Sequence, residues 1–129
     1  MAGFTDTLEN ALLDHVFNGA SYSTPTKWIG LFTVAPTDAS SGTEVASTGG
    51  YTRIAAAAWT AASSGYTYNS TAIAFPTATG DWGTIDYFAV CTSSAGGAMI
   101  AYSSLAVSKT IATGDSVTFS TGSLVVTLD

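Results

Sequence analysis

The amino-acid sequence predicts a mainly β protein: a single antiparallel β-sandwich or jelly-roll-like domain over residues 1–129, with one N-terminal α-helix. Apolar residues recur at helical spacing only near the start of the chain, and from Lys27 onward they alternate with a period of two. Turn-forming residues separate seven or eight short apolar runs, which is typical of an antiparallel sandwich or barrel. A chain of 129 residues is long enough to bury a core within one domain.

The N-terminal segment predicts a helix over about residues 5–17. Thr5 or Asp6 can cap its first turn, and the spacing Asp6-x-x-Glu9 resembles a capping box. Asn18-Gly19 predicts the end of the helix. One face of the helix is apolar and is expected to pack against the sheet. That face consists of Leu8, Ala11, Leu12 and Val16.

The rest of the chain predicts strands and turns. Residues 27–33 alternate in a way that suits a strand covered on both sides. Residues 34–50 are rich in turn formers and predict the longest loop. A bulge is expected near Asn69-Ser70. The further strands are predicted over residues 51–60, 66–75, 84–92, 98–105, 107–111, 117–120 and 124–128.

The stretch FPTATGDWGTIDYFAV, residues 75–90, predicts a corner between two strands. Pro76 ends the first strand, and Gly80-Asp81 forms the turn before the chain enters the core. Asp81 is expected to accept backbone hydrogen bonds in that turn. Trp82 is expected to cover a sheet edge or a neighbouring subunit, whereas Asp86 has no assigned role.

Charged residues are scarce. Lys27, Arg53 and Lys109 are the basic residues against nine acidic ones, so the sequence has no basic footprint for nucleic acid or anionic lipid. We therefore expect no nucleic-acid partner and no membrane partner. The charged fraction is 9%, compared with about 25% in ordinary domains. This favours a homo-oligomer, or a surface partly covered by a larger body.

The single cysteine and single histidine offer little chemistry. Cys91 lies in an apolar run and predicts a buried, inert thiol, with no disulfide possible within the chain. His15, near the end of the predicted helix, is expected to be exposed rather than catalytic. The N-terminus lacks the pattern of a secretory signal, which predicts that the protein is made in the cytosol.

The sequence predicts a protein that is not an enzyme. It contains no Gly-x-Ser-x-Gly, P-loop or His-Glu-x-x-His motif. Asp81 and Asp86, five residues apart around a turn, are conceivable as a carboxylate pair for glycoside hydrolysis. Nothing in the sequence shows that either carboxyl is held neutral, as general acid catalysis requires. We therefore expect no catalytic residues and no cofactor.

Calcium is the alternative small ligand. Turn-rich segments gather the hard oxygen ligands that this ion prefers. However, the acidic residues do not follow EF-hand spacing, and aspartate also favours turns because its side chain accepts local backbone N–H groups. Turn chemistry is therefore expected, without a metal. The turn carboxylates are Asp38, Glu44, Asp81 and Asp115.

Aromatic residues raise two alternatives. They could form a stacking surface for sugar rings, or they could pack in the core and at interfaces. Core and interface packing is the preferred interpretation. The residues concerned are Trp82, Tyr66, Tyr68 and Tyr22.

Five stretches, in this order along the chain, resemble a family of small virion proteins of tailed bacteriophages, labelled tail fibre or head decoration proteins. Each stretch alone is only a pattern of strands and turns, so the resemblance lies in their order. The stretches are ALLDHVFNG at 11–19, WIGLFTVAPTDASSGTEV at 28–45, GGYTR at 49–53, FPTATGDWGTIDYFAV at 75–90 and SKTIATGDSVTFSTGSLVVTLD at 108–129.

The resemblance implies a structural component of the virion, synthesised in the host cytoplasm. The preferred interpretation is a capsid decoration or cement protein. Its copies, as trimers or smaller clusters, would bind the major capsid protein and stabilise the head lattice. The low charge, compact domain and lack of a fibrous segment favour it. The N-terminal segment and the loop 34–50 are the expected contact elements.

The alternative implied by the resemblance is a tail fibre or baseplate module that contacts the host surface, with aromatic turns touching glycan. Either function would use side chains in turns and at exposed edges. The candidate interface or ligand contacts are Trp82, Asp81, Tyr66, Tyr68, Asp38 and Glu44.

Overall fold

The computed structural model describes residues 3–39 and 42–128. In chain order the strands and the helix of these residues alternate with long irregular connections. The elements are β1 (Gly3–Phe4), α1 (Asp6–Phe17), β2 (Trp28–Val34), β3 (Thr43–Glu44), β4 (Ile54–Ala55), β5 (Tyr66–Tyr68), β6 (Ile73–Ala74), β7 (Gly83–Cys91), β8 (Met99–Ile111), β9 (Thr118–Phe119) and β10 (Val125–Thr127).

The strands form one larger sheet and two small ones. The larger sheet has the order β1-β8-β7-β2-β3, and β4 also pairs with β2. The small sheets are the pairs β5–β10 and β6–β9. Every strand pairing within the described residues is antiparallel. The predicted fold class, mainly antiparallel β with one helix near the N-terminus, is confirmed.

The central strands β2 and β7 carry buried residues on both faces. On one face, Leu31 and Val90 belong to the main core, which also includes Leu8 of the helix. On the other face, Phe32 and Cys91 belong to a second, smaller core cluster. The predictions that the strand at residues 27–33 is covered on both sides and that Cys91 is buried are therefore confirmed.

The helix begins and ends where the sequence indicates, but its cap differs from the prediction. Thr5 is the N-cap residue, yet its hydroxyl makes no capping bond and instead donates to the Met99 carbonyl at 2.6 Å. With Thr5 as N-cap, the spacing Asp6-x-x-Glu9 does not form a capping box. At the other end, the helix stops at Phe17 and Gly19 has φ +69°.

The helix packs against the domain only through its first half. Leu8 is buried and Leu12 is half-buried, whereas Val16 is 67% exposed. The expectation that Val16 shares the buried face is therefore wrong. The side chain lies two turns beyond Leu8, where the helix has passed the region held by its contacts with β1 and β8.

Two predicted strands are interrupted. Within 51–60 only Ile54–Ala55 forms a strand. The Ala56 N–H still donates to the Lys27 carbonyl, but the Ala56 carbonyl accepts the Trp59 indole N–H at 2.6 Å instead of a ladder bond. Instead of forming a bulge near Asn69-Ser70, the run 66–75 divides into β5 and β6 at Asn69, which is fully buried. Its side-chain amide donates to two carbonyls and accepts from the Leu124 N–H, so it takes the place of ladder bonds.

Conversely, two predicted strands join into one. Residues 98–105 and 107–111 form the single strand β8, which is paired with β7. The pairing stops at Ser104 opposite Tyr87 and resumes at Lys109 opposite Ile85. Residues 105–108 therefore bulge out of the ladder, which is the physical reason that the sequence pattern is broken there.

The corner 75–90 differs from its prediction at Trp82. The ring is only 4% exposed, its N–H donates to the Gly49 carbonyl at 2.7 Å, and it meets the Tyr51 ring edge to face at 5.4 Å. Trp82 is thus a core residue that fixes the corner to the turn at 48–51, rather than a cover for an exposed edge.

Close backbone contact between two glycines makes this docking possible. Gly49 has φ +61°, and a Cβ atom placed on it would lie 3.0 Å from the carbonyl carbon and oxygen of Gly80. The Thr79 N–H also donates to the Gly49 carbonyl at 2.8 Å. A side chain at position 49 would push the corner away from the turn.

We predict that Gly49→Ala destabilises the protein more than Gly96→Ala. Both glycines have left-handed backbones, with φ +61° and +64°, but a Cβ atom at Gly96 would meet nothing within 4 Å. Gly96→Ala is expected to cost about 1 kcal/mol from backbone strain alone. Gly49→Ala should lose about 1–3 kcal/mol more, because backbone atoms must move. Urea unfolding of both variants checks this, and equal losses would contradict the packing explanation.

Candidate functional site

The most heavily bonded polar group of the described residues is formed by Glu44, Tyr51 and Arg53. The Arg53 guanidinium donates to both carboxylate oxygens of Glu44, from Nε and Nη2, each at 2.8 Å. The Tyr51 hydroxyl donates to Glu44 Oε2 at 2.6 Å and accepts the Leu31 N–H at 3.0 Å. The side chains of Arg53 and Glu44 are 10% and 25% exposed.

The same guanidinium reaches a second segment. Arg53 Nη1 donates to the carbonyls of Ser93 and Gly96, each at 2.8 Å. Arg53 therefore joins β3 to the turn between β7 and β8. Gly30 leaves room for the pair, because a Cβ atom on it would lie 2.9 Å from Glu44 Oε2.

The cluster fixes the charge state of its members. Burial raises the pKa of the Glu44 carboxyl, but the hydrogen bonds from Arg53 and Tyr51 outweigh it, so this pKa lies below its ordinary 4.5. Burial and the bond to Glu44 raise the pKa of Tyr51 well above 10.0. Each member is held in its ordinary charge state and bonded to its neighbours. This arrangement suits a structural clamp better than an acid–base site.

The two carboxylates of the corner have separate surroundings. Asp81 is exposed and accepts no hydrogen bond from the described residues, unlike the turn bonds expected of it. Asp86 is half-buried on β7 and accepts a hydrogen bond from the Ser108 hydroxyl in the bulge of β8. The role of Asp86, which the sequence leaves unexplained, is therefore to hold this bulge against its neighbour.

The remaining turn carboxylates also bond within the chain. Asp38 accepts a hydrogen bond from the Tyr102 hydroxyl, and its carbonyl accepts the Asp6 N–H at the start of the helix. Asp115 accepts the Ala112 N–H at 2.9 Å, as turn chemistry predicts. Within residues 3–39 and 42–128, no three His, Cys, Asp or Glu side chains lie together as a metal site would need.

The predicted loop 34–50 is partly anchored. It contains the short strand β3, and Val45 is 5% exposed with its N–H donating to the Leu31 carbonyl. Positions 40 and 41 of this loop lie outside the described residues. Contact with a partner through the loop stays a prediction. Across the described chain, no helix is long and apolar enough to cross a membrane.

Two of the four aromatic candidates form a surface pair. Tyr66 and Tyr68 lie on the same side of β5, with ring centroids 6.3 Å apart and planes inclined by 24°. Tyr66 is 41% exposed and Tyr68 is half-buried. Tyr22 packs against the core, as Trp82 does. The structure thus brings Tyr66 and Tyr68 together and separates them from Trp82.

The sequence prediction missed an exposed apolar face on the helix. Leu13, Val16 and Phe17 are 56%, 67% and 83% exposed. Their spacing of i, i+3 and i+4 places them on one side of α1. The sequence does contain this second apolar stripe. It adjoins the predicted buried stripe and shares Val16 with it, so the two were not distinguished.

Comparison with known proteins adds one match. The family model described as Podophage GP4 fiber I protein gp80 matches residues 3–127 of the chain. This span covers every strand and the helix described above. No curated protein matches the chain.

We predict that the cluster loses its stabilising effect in acid. Because the pKa of Glu44 is lower in the folded than in the unfolded chain, its contribution is complete above about pH 4.5 and falls as pH drops through the folded pKa. At about pH 7, Glu44→Gln should cost about 2–3 kcal/mol of unfolding free energy. That cost should shrink in acid.

Urea unfolding at several pH values between about 7 and 3 measures this difference. Asp81→Asn is the matched control, because it removes an exposed carboxylate that accepts no hydrogen bond from the described residues. This control should be close to neutral at every pH. A cost of Glu44→Gln that does not change with pH would contradict the assignment.

Proposed function

The chain belongs to the family described as Podophage GP4 fiber I protein gp80, and we propose that it is a non-enzymatic module of a phage fibre that contacts the host surface. The match over residues 3–127 carries the proposal. It makes the chain a phage virion protein, and the family description names a fibre.

The absence of an assembled reaction centre among the described residues supports a structural role. The strongest polar cluster, Glu44 with Tyr51 and Arg53, is bonded within the chain. Asp81 and Asp86, the conceivable carboxylate pair, differ in exposure, and Asp86 bonds to Ser108. A glycosidase needs two carboxyls placed on either side of one bond. The corner offers instead one exposed carboxylate and one that secures a bulge.

The host-facing contact is proposed at the Tyr66–Tyr68 pair. Neighbouring side chains at i and i+2 of a strand form a flat strip, and the centroid separation of 6.3 Å spreads the two rings along β5. An aromatic face that keeps a hydroxyl at its edge suits a sugar ring, which has apolar C–H faces and polar edges. Glycan on the host surface is therefore the proposed ligand class.

Capsid decoration is the alternative function for this chain. Its basis was the low charge and compact domain, which would suit any repeated contact in a virion. No described feature favours the head lattice in particular, whereas the family description names a fibre. The proposed neighbours are therefore other fibre proteins and further copies of this chain, with the major capsid protein as the partner only if decoration is correct.

We predict that the purified protein binds host cells and does not bind heads that lack it. Fluorescently labelled protein is added to host cells and, separately, to preformed heads without it. Tyr66→Ser should weaken binding to cells about tenfold, because a stacked ring is lost. Tyr66→Phe, which keeps the ring, should retain most of the binding.

Two outcomes would overturn the proposal. Binding to heads, accompanied by greater heat resistance of those heads, would favour decoration. Binding to cells that is equally strong in Tyr66→Ser and Tyr66→Phe would remove the tyrosine pair as the contact. Circular dichroism of each variant verifies that the fold is unchanged.

A further inference from the structure

The second half of α1 projects an apolar face that nothing in the described chain covers. Leu13, Val16 and Phe17 are each more than half exposed, and Phe17 reaches 83%. A phenylalanine buries about 150–250 Å² when it is covered. Apolar residues at i, i+3 and i+4 are the anchors by which a helix lies in a groove of a partner.

A groove of suitable character lies elsewhere on the same chain. It is a cleft of about 760 Å³ between the second half of β8 and the segments around β9 and β10. The tilted rings of Phe88 and Phe119, 5.7 Å apart, form part of its lining. Val107, in the bulge of β8, is 70% exposed at the same cleft. Its further apolar lining consists of Leu105, Ala106, Val117, Leu124 and Val125.

The cleft is longer than the free part of the helix. Residues 103–109 of β8 line the cleft, apart from the serine at 108, and a segment of that length spans at most roughly 20 Å. The exposed second half of the helix, residues 13–17, is about 8 Å long. The cleft can therefore take the apolar turn while the first half of the helix stays packed on its own chain.

Charge decides between this groove and a second helix as the partner. The helix carries Asp6, Glu9 and Asp14, and its one basic group is His15, whose ring bonds to the Ala20 carbonyl. Two such helices packed together would bring like charges close, which is unfavourable. The cleft instead has Lys109 among its lining residues.

Lys109 is the available cation of the described residues. Arg53 is engaged with Glu44, and the Lys27 ammonium donates to the Pro25 carbonyl at 3.2 Å. Lys109 is exposed. An acidic helix with an apolar turn and an apolar cleft with one lysine therefore match in apolar character and have opposite charge signs.

We propose that a second copy of this chain places the Leu13–Val16–Phe17 face of its helix in the cleft beside Lys109. The contact joins two different surfaces, so each copy offers a free helix at one end and a free cleft at the other. Such a head-to-tail contact closes into a ring if the rotation allows, and otherwise extends into a filament. Either assembly repeats the module without a separate linking chain.

Two single variants test the contact in the full chain. Phe17→Ser removes the helix anchor, and Val107→Asp places a charge at the cleft; both residues are exposed, so the fold should tolerate the changes. Each should raise the dissociation constant at least about 30-fold, as expected for loss of an anchor. Val34→Ser, at an apolar residue that is 54% exposed outside both surfaces, is the matched control.

Mixing the two variants gives the decisive readout, by analytical ultracentrifugation at up to about 100 µM. Each variant alone should be monomeric, but a mixture should form one-to-one dimers, because Val107→Asp keeps an intact helix and Phe17→Ser keeps an intact cleft. Wild type and Val34→Ser should form larger species.

Three results would overturn the proposal. Wild-type protein that stays monomeric would show that the helix serves another virion protein or is left uncovered. Association of Val107→Asp on its own, with a monomeric Phe17→Ser, would show that helix packs against helix. A mixture that remains monomeric, when wild type associates, would show that the two surfaces do not meet.

Discussion

The ion pair between Arg53 and Glu44 is the interaction on which the arrangement of the loops depends. It is bidentate and largely removed from water, and it links segments that are distant in the chain: β3, residues 51–53 and the turn after β7. Removing one partner of such a pair leaves the other charge without compensation, which costs more than the pair itself contributes. The Tyr51 hydroxyl extends the same network to the backbone of β2.

This network explains how a chain with long irregular connections keeps a defined shape. Tyr51 also packs against Trp82 and Phe75, so one side chain joins the polar clamp to the aromatic core. Polar and apolar contacts thus stabilise the same turn. Most of the large apolar side chains are at least partly buried in the interior. The apolar groups left outside, on the helix and along the cleft, then stand out as surfaces for assembly.

Periodicity predicted much of the fold but little of the surface. Residues 27–33 and 84–92 were predicted nearly to their ends, because continuous apolar strands leave a local signal. Asn69 and the bulge at 105–108 depend on partners distant in the chain, so local patterns located both irregularities but not their form: the strand divides at Asn69 and continues through 105–108. Trp82 shows the same limit, since its burial depends on the approach of Gly49 to Gly80. The pairing of Glu44 with Arg53 also joins separate segments and has no sequence signature.

The claim that this virion protein works in the fibre is best tested by cryo-electron microscopy of intact particles. We expect density for the domain, with its six-stranded sheet and the helix α1, within a fibre that projects from the tail. Neighbouring copies should meet through the helix and the cleft. Density for the domain on the head lattice, with none in the fibre, would contradict the claim.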